Sequence, residues 1–285
     1  MKPNERDWNK VESISDVVKE KVTLIREKIA EAEIKSGRSP NSVKLIAVSK
    51  YAQPDDGIVA SFLKSNLTDL AENRVKNFLE KVSFWGNQYL ESALPLPQSS
   101  SLRNVAGEEK RKDINWHFIG NLQRNKVRRV LPYVSLIHSV DSWNLLETIE
   151  RIIVEEEIKG ASASTASFPN YVSVLLEAHI SEDSTKQGFD PKELLELFPK
   201  MGECFPHIHF RGLMGMGGLH ASPKELRRQF SLLRSLFEKC QEHIRNNEQF
   251  TELSMGMSDD FEVAIEEGST MVRVGTGIFG ARNYN

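Results

Sequence analysis

The sequence predicts an α/β fold, a single (β/α)8 TIM barrel with an extra N-terminal helix. Three observations carry that expectation. Short apolar runs alternate with longer helix-like segments, eight times along the chain. The clearest run, Val43–Val48, is apolar at nearly every position, as befits a parallel strand covered on both faces. The turn after it, Lys50-Tyr51-Ala52-Gln53, has no glycine fingerprint, so an open doubly wound sheet would lack its phosphate loop.

Taken in order, residues 1–12 are polar and expected to be disordered, and the barrel is expected over 13–285. Ser13-Ile14-Ser15-Asp16 resembles a capping box. Val18, Val22, Ile25 and Ile29 follow at helical spacing, and Gly37 is a stop signal. This helix should cover the outer ring or the open bottom. The first strand, 43–49, ends at Lys50. Pro54, Asp55 and Asp56 open a helix near 54–65. The second strand is Thr68–Ala71, followed by Glu72-Asn73 and a helix over Arg74–Phe84. The third is Ile114–Ile119, turning at Gly120-Asn121 into a basic helix with Lys126, Arg128 and Arg129. The fourth is Val134–His138, with a helix to about Glu157. The fifth is Tyr171–Ile180, with the helix Pro191–Met201. The sixth is Ile208–Met214, with a glycine-rich turn and the helix Pro223–Asn246. The seventh is Phe250–Ser254, with the helix Asp259–Glu267, and the eighth is Met271–Val274.

Two stretches read as insertions. Residues 86–113 carry a serine run, prolines and mixed charges, and 160–170 are rich in Ala, Ser and Thr. Both run from a helix to the next strand, which in a barrel is the face away from the chemistry.

Composition narrows the function class. Over 285 residues, 39% hydrophobic and 27% charged content describe a globular protein. A net charge of -3 points to neither nucleic acid nor an anionic membrane as partner. Cys204 and Cys240, the two cysteines, suit a reducing compartment, and no signal peptide or membrane-length apolar run is visible. A cytoplasmic protein is expected.

The chemistry should lie where the strands end. Lys50 ends the first strand. Alone it reads as a solvated strand-end lysine; at the mouth of an apolar barrel it can be an amine nucleophile for a carbonyl. Ser254-Met255-Gly256-Met257-Ser258 leads from the seventh strand into a helix start, and Val274-Gly275-Thr276-Gly277 follows the eighth. Barrels often bind phosphate between those two loops. Gly256 and Gly275 let backbone N–H groups approach an anion, and Ser258 and Thr276 add hydroxyls. Arg273 shares a strand face with Gly275, and a buried guanidinium needs a partner. Asn73, His117 and Met214 stand at weaker positions near the mouth, with Ser254 at the end of the seventh strand. His207 and His209 share a face but have no third ligand, so no metal is expected. An amine, an anion cup and an arginine together suit an aldehyde bearing a phosphate, pyridoxal 5′-phosphate (PLP) above all. A class I aldolase acting on a sugar phosphate would leave Arg273 unexplained.

These residues fall in stretches with a familiar pattern. Leu45–Lys50, Glu72–Val75, Trp116–Lys126, Ser254–Asp260 and Met271–Arg282 resemble the pyridoxal-phosphate homeostasis protein family, whose barrel is similar to the N-terminal domain of alanine racemase. The resemblance spans about residues 12–283. It implies Lys50 as the Schiff-base lysine, Ser258 and Thr276 at the phosphate, Arg273 at the pyridine nitrogen and Asn73 near the ring. Ala71, Ala178-His179-Ile180-Ser181 and Gly215-Met216-Gly217-Gly218 depart from the usual pattern.

The expected function is PLP binding in intracellular PLP homeostasis, without robust turnover, as a monomer whose possible partners are apo PLP enzymes. The chain stops soon after the eighth strand, so the tyrosine that the second domain of a racemase supplies is not expected. The alternatives are a PLP-dependent amino-acid racemase with Lys50 as base and a scaffold with a vestigial barrel. Lys186, in the loop Ser181–Asp190 after the fifth strand, is a further lysine, with no role at the mouth assigned to it.

Overall fold

Eight parallel strands close in chain order into a barrel. They are β1 (Lys44–Val48), β2 (Asp69–Glu72), β3 (Asn115–Phe118), β4 (Leu136–Val140), β5 (Val172–Glu177), β6 (Ile208–Met214), β7 (Glu252–Ser254) and β8 (Met271–Val274). The helices are α1 (Glu5–Lys35), α2 (Val75–Tyr89), α3 (Val127–Val130), α4 (Trp143–Lys159), α5 (Pro191–Cys204), α6 (Pro223–Glu242), α7 (Phe261–Glu266) and α8 (Thr276–Phe279). The structure, a computed structural model, describes residues 5–50, 52, 65–89, 114–159, 168–183, 187–243 and 249–280. The expected helix near 54–65, Tyr51, most of both expected insertions, Lys186 and the tail after Gly280 lie outside the described residues.

Strand alternation sorts the side chains into two cores. Ile46, Val48, Ala71, Leu136, Leu175, Met214 and Met271 fill the barrel. Their neighbours Ala47, Leu70, Phe118, Val174, Leu213, Leu253 and Val272 face outward and pack under the helices. Phe78 of α2 is wholly buried and meets Trp116 and Phe118 edge-on, each at 5.9 Å between centroids. Burying such a ring stabilises by about 1.5–3 kcal/mol.

The first helix seals the seam of the barrel. Val18, Val22, Ile25, Ile29 and Ala32 form its buried stripe, packed against α7 and α8. Arg26 donates to the carbonyls of Ser65 and Asn66, just before β2. Glu33 is buried because it accepts from the backbone N–H groups of Asn41 and Val43, fixing the turn into β1. Gly37 (φ 71°) stops the helix as expected. The start differs: the helix begins at Glu5, inside the stretch expected to be disordered.

Other boundaries moved for identifiable reasons. The basic segment after Gly120 is a 3-10 turn, Arg124–Lys126, and the short α3, since Pro132 blocks continuation. β4 begins at Leu136, after Ser135 has bonded to Trp116. β5 ends at Glu177, where the chain turns to Phe189: the Glu177 carbonyl accepts from Phe189 N–H and His179 N–H donates to the Phe189 carbonyl. α2 runs on to Tyr89, into the start of the expected insertion. The expected loop after β8 begins with α8, a one-turn helix. Asp190 caps α5 and Ser222 caps α6 through side-chain acceptors.

The ends of β2 and β3 touch with no space to spare. A Cβ on Gly120 would lie 2.0 Å from the carbonyl oxygen of Asn73. Gly120→Ala should therefore force these ends apart and cost about 1–3 kcal/mol in urea unfolding. An unchanged midpoint would show that the two ends are not tightly packed.

Candidate functional site

Closure pairs β1 with β8 over four residues, Lys44 to Ala47 against Met271 to Val274. Lys44, Ile46 and Val48 share the inward face by alternation. Lys50 follows the end of β1, half-buried. A Cβ on Gly275 would lie 3.2 Å from the carbonyl oxygen of Val48. The loop after β8 thus rests directly on the end of β1, two residues before Lys50.

That loop meets the loop after β7. Ser258 Oγ accepts from the backbone N–H groups of Gly275 and Gly277, each at 3.3 Å. Gly256 (φ 92°) makes the bend before it, and a side chain there would strike Ala264 and Phe261. Thr276 is exposed between the two donors. Of the neighbouring carboxylates, Asp260 is engaged by the backbone N–H of Met257 and Asp259 is exposed. Burial raises the Asp260 carboxyl above its ordinary value.

Below this cup lies Arg273, 4% exposed. Its guanidinium donates to Ser254 Oγ at 2.6 Å and to the carbonyl of Gly215 at 3.2 Å. Burial pulls its pKa down to about 10, against the pull of the Asp260 and Glu177 charges. It is therefore still a cation at neutral pH. Ser254 Oγ also lies 2.9 Å from His138 Nδ1, and His138 Nε2 lies 2.8 Å from His117 Nδ1. His117 Nε2 reaches Asp69 Oδ1 at 3.1 Å. Burial, then the neighbouring positive groups, hold His138 well below the ordinary 6.5, so it is neutral.

A second polar cluster sits on the outer face of the same strand ends. Ser49 Oγ donates to Glu72 Oε1 at 2.6 Å, and Lys81 of α2 donates to Glu72 and to the carbonyl of Ser49. Glu72 is wholly buried and Lys81 nearly so. Burial lowers the Lys81 pKa, offset in part by Glu72. Ser49 and Glu72 directly precede Lys50 and Asn73, so the cluster fixes the backbone from which both side chains leave.

The structure brings Lys50, Ser258, Gly275 and Thr276 to one end of the barrel with Arg273 beneath them. Asn73 is half-buried at the end of β2. Met214 belongs to the barrel filling. Both ring nitrogens of His117 are engaged inside the barrel, and Ser254 is likewise engaged by His138 and Arg273. His207 pairs with Glu150, and His209 stacks on Tyr171 at 4.2 Å. Among the described residues no group of three His, Cys, Asp or Glu is placed to hold a metal. His138, Asp69, Glu72 and Lys81 were not singled out from sequence. His138 had a usable signal, since it stands inward on its strand as His117 does on the one beside it.

The family model for the N-terminal domain of alanine racemase matches residues 32–283. The pyridoxal phosphate homeostasis protein of Aquifex aeolicus (strain VF5) is 34% identical over 267 residues, covering 93% of this chain and 98% of that protein. An unknown protein from Bifidobacterium adolescentis superposes with a TM-score of 0.77 at 33% identity, over 94% of this chain and 96% of its own. PipY of Synechococcus elongatus PCC7942, solved with PLP bound, superposes with a TM-score of 0.66 at 29% identity, over 88% of this chain and 100% of PipY.

Two outcomes follow from the buried groups. Lys81→Met leaves Glu72 charged and unpaired, so it should cost about 3–5 kcal/mol in urea unfolding. Adding Glu72→Gln should recover part of that loss; equal single and double losses would refute the pairing. His138 is neutral when folded and free to charge near 6.5 when unfolded. The unfolded state therefore binds more protons below that value, and stability should fall as pH drops from 7 to 5. His138→Phe should flatten that slope; an unaltered slope would mean His138 contributes nothing to it.

Proposed function

Since the chain belongs to the pyridoxal phosphate homeostasis protein family, we propose that it binds PLP and serves intracellular PLP homeostasis, holding the cofactor as a Schiff base on Lys50 without sustained turnover. The observation that carries this reading is the convergence of Lys50, the Ser258 cup and the Arg273 guanidinium at one end of the barrel. The residues suit the group. Ser258 Oγ already occupies two converging backbone N–H donors, the place an anionic oxygen would take. When bound, PLP supplies an electrophilic aldehyde and a ring that can accept electrons.

Each residue then has a task. Lys50 is the amine tether. Ser258, Thr276 and the N–H groups of Gly275 and Gly277 hold the phosphate. Arg273, a cation at neutral pH with only donors to offer, faces the ring nitrogen and keeps it unprotonated. An unprotonated ring is a weak electron sink, which favours storage over carbanion chemistry. Asn73 lines the ring, and Met214, His117 and Ser254 form the packed layer beneath it. The protein works as a cytoplasmic monomer that releases PLP to apo enzymes. No helix among the described residues is long and apolar enough to cross a membrane. Burial pushes the Cys240 thiol up to about 12, so it is protonated and a poor nucleophile at neutral pH.

Purified protein given PLP should develop a visible imine absorbance, and borohydride reduction should leave the pyridoxyl mass on the peptide containing Lys50. Lys50→Ala should lose both signals. Label on another lysine, or a colourless wild type, would defeat the assignment. Lys50-dependent exchange of the Cα hydrogen of amino acids in deuterium oxide at enzymatic rates would instead establish the racemase-like reading.

A further inference from the structure

The side chains that cross the barrel interior have a direction. Arg273 carries only donors, so its hydrogen bond to Ser254 Oγ runs from guanidinium to hydroxyl. An ionised Asp69 carries only acceptors, so its bond with His117 runs from Nε2–H to carboxylate. Burial raises the Asp69 carboxyl, but the hydrogen bonds from His117 and Thr68, with the Lys44 charge, outweigh it and hold it below the ordinary value. With both ends fixed, one proton on each ring, which the relay requires, sets the links between. Ser254 gives its single hydrogen to His138 Nδ1. His138 then carries its proton on Nε2 and gives it to His117 Nδ1. The opposite direction would place a second proton on His117 and leave the Ser254 hydroxyl to find another acceptor. All these residues are buried, Asp69 at 7% exposure and the others at 4% or less.

We propose that Arg273, Ser254, His138, His117 and Asp69 form a one-way hydrogen-bond relay through which Asp69, at the floor of the barrel, positions the guanidinium beneath the mouth. Asp69, His117 and His138 are positioning residues, acting on the site only through Arg273. Cation and anion stand at opposite ends, so every bond dipole aligns and each link strengthens the next. The relay rests on the hydrogen-bond geometry alone; only its consequence for a ring nitrogen depends on PLP binding.

The test is side-chain nitrogen NMR on the cofactor-free full chain with 15N-labelled histidine and arginine. In the wild type, His117 and His138 should both be neutral Nε2–H tautomers. In Asp69→Ala, His138 should lose its single tautomer and the guanidinium hydrogens of Arg273 should exchange faster with water, although neither residue touches position 69. A wild-type His138 protonated on Nδ1 would overturn the relay. So would an Asp69→Ala protein, folded by its amide spectrum, in which only His117 responds. If Asp69→Ala does not fold, Ser254→Ala reads the relay from the other end. It should disturb His117, two links away, and an undisturbed His117 would count against the proposal. A failure of PLP to bind leaves these spectra unaffected, so the relay and the cofactor reading can fail separately.

Discussion

Closure of β1 against β8 is the constraint on which the rest of the site depends. Lys50 and the Gly275–Gly277 turn lie more than 200 residues apart in the chain. The β1–β8 ladder places them side by side, and a Cβ on Gly275 would press the carbonyl oxygen of Val48 at 3.2 Å. α1 supports this seam from outside, through its stripe against α7 and α8 and through Arg26 at the entry to β2. An open sheet would leave the same residues at opposite edges.

The strand ends around the mouth are held from both faces by buried polar groups. Inside, Arg273 is tied to Ser254 and Gly215, and through the histidines to Asp69. Outside, Lys81 and Glu72 clamp Ser49. Charges so deeply buried are costly to desolvate, and paired burial alone is weak evidence for stability. Arg273 is itself one of the proposed cofactor contacts, and Ser49 and Glu72 directly precede Lys50 and Asn73. Their place in the fold is better explained by the geometry they impose than by the stability they add.

Much of this was legible in the sequence. Strand count and order followed from apolar runs alternating with helical spacing, and β6 and β8 have the expected bounds. The glycines of the cup were legible because glycine favours the bend at Gly256 and the close approach at Gly275. The interior relay was not, because a lone histidine on a strand looks the same whether it meets another histidine or a hydrophobic wall. Only register across neighbouring strands sets His117 against His138. Glu72 and Lys81 were hidden for a related reason: each reads as an ordinary surface charge until α2 is laid over the end of β2. The start of α1 was set too late because the capping-box pattern at Ser13–Asp16 reads as a helix start, although Trp8 and Val11 stand at helical spacing ahead of it.

The central claim is that one end of the barrel holds PLP between Lys50, the Ser258 cup and Arg273. A crystal structure of the PLP-loaded protein tests it most directly. The account predicts phosphate oxygens replacing Ser258 Oγ as acceptors at the N–H groups of Gly275 and Gly277, continuous density from Lys50 Nζ to the cofactor, and the Arg273 guanidinium within hydrogen-bond distance of the ring nitrogen. Cofactor density elsewhere on the molecule, or a ring nitrogen facing a carboxylate in place of Arg273, would contradict it.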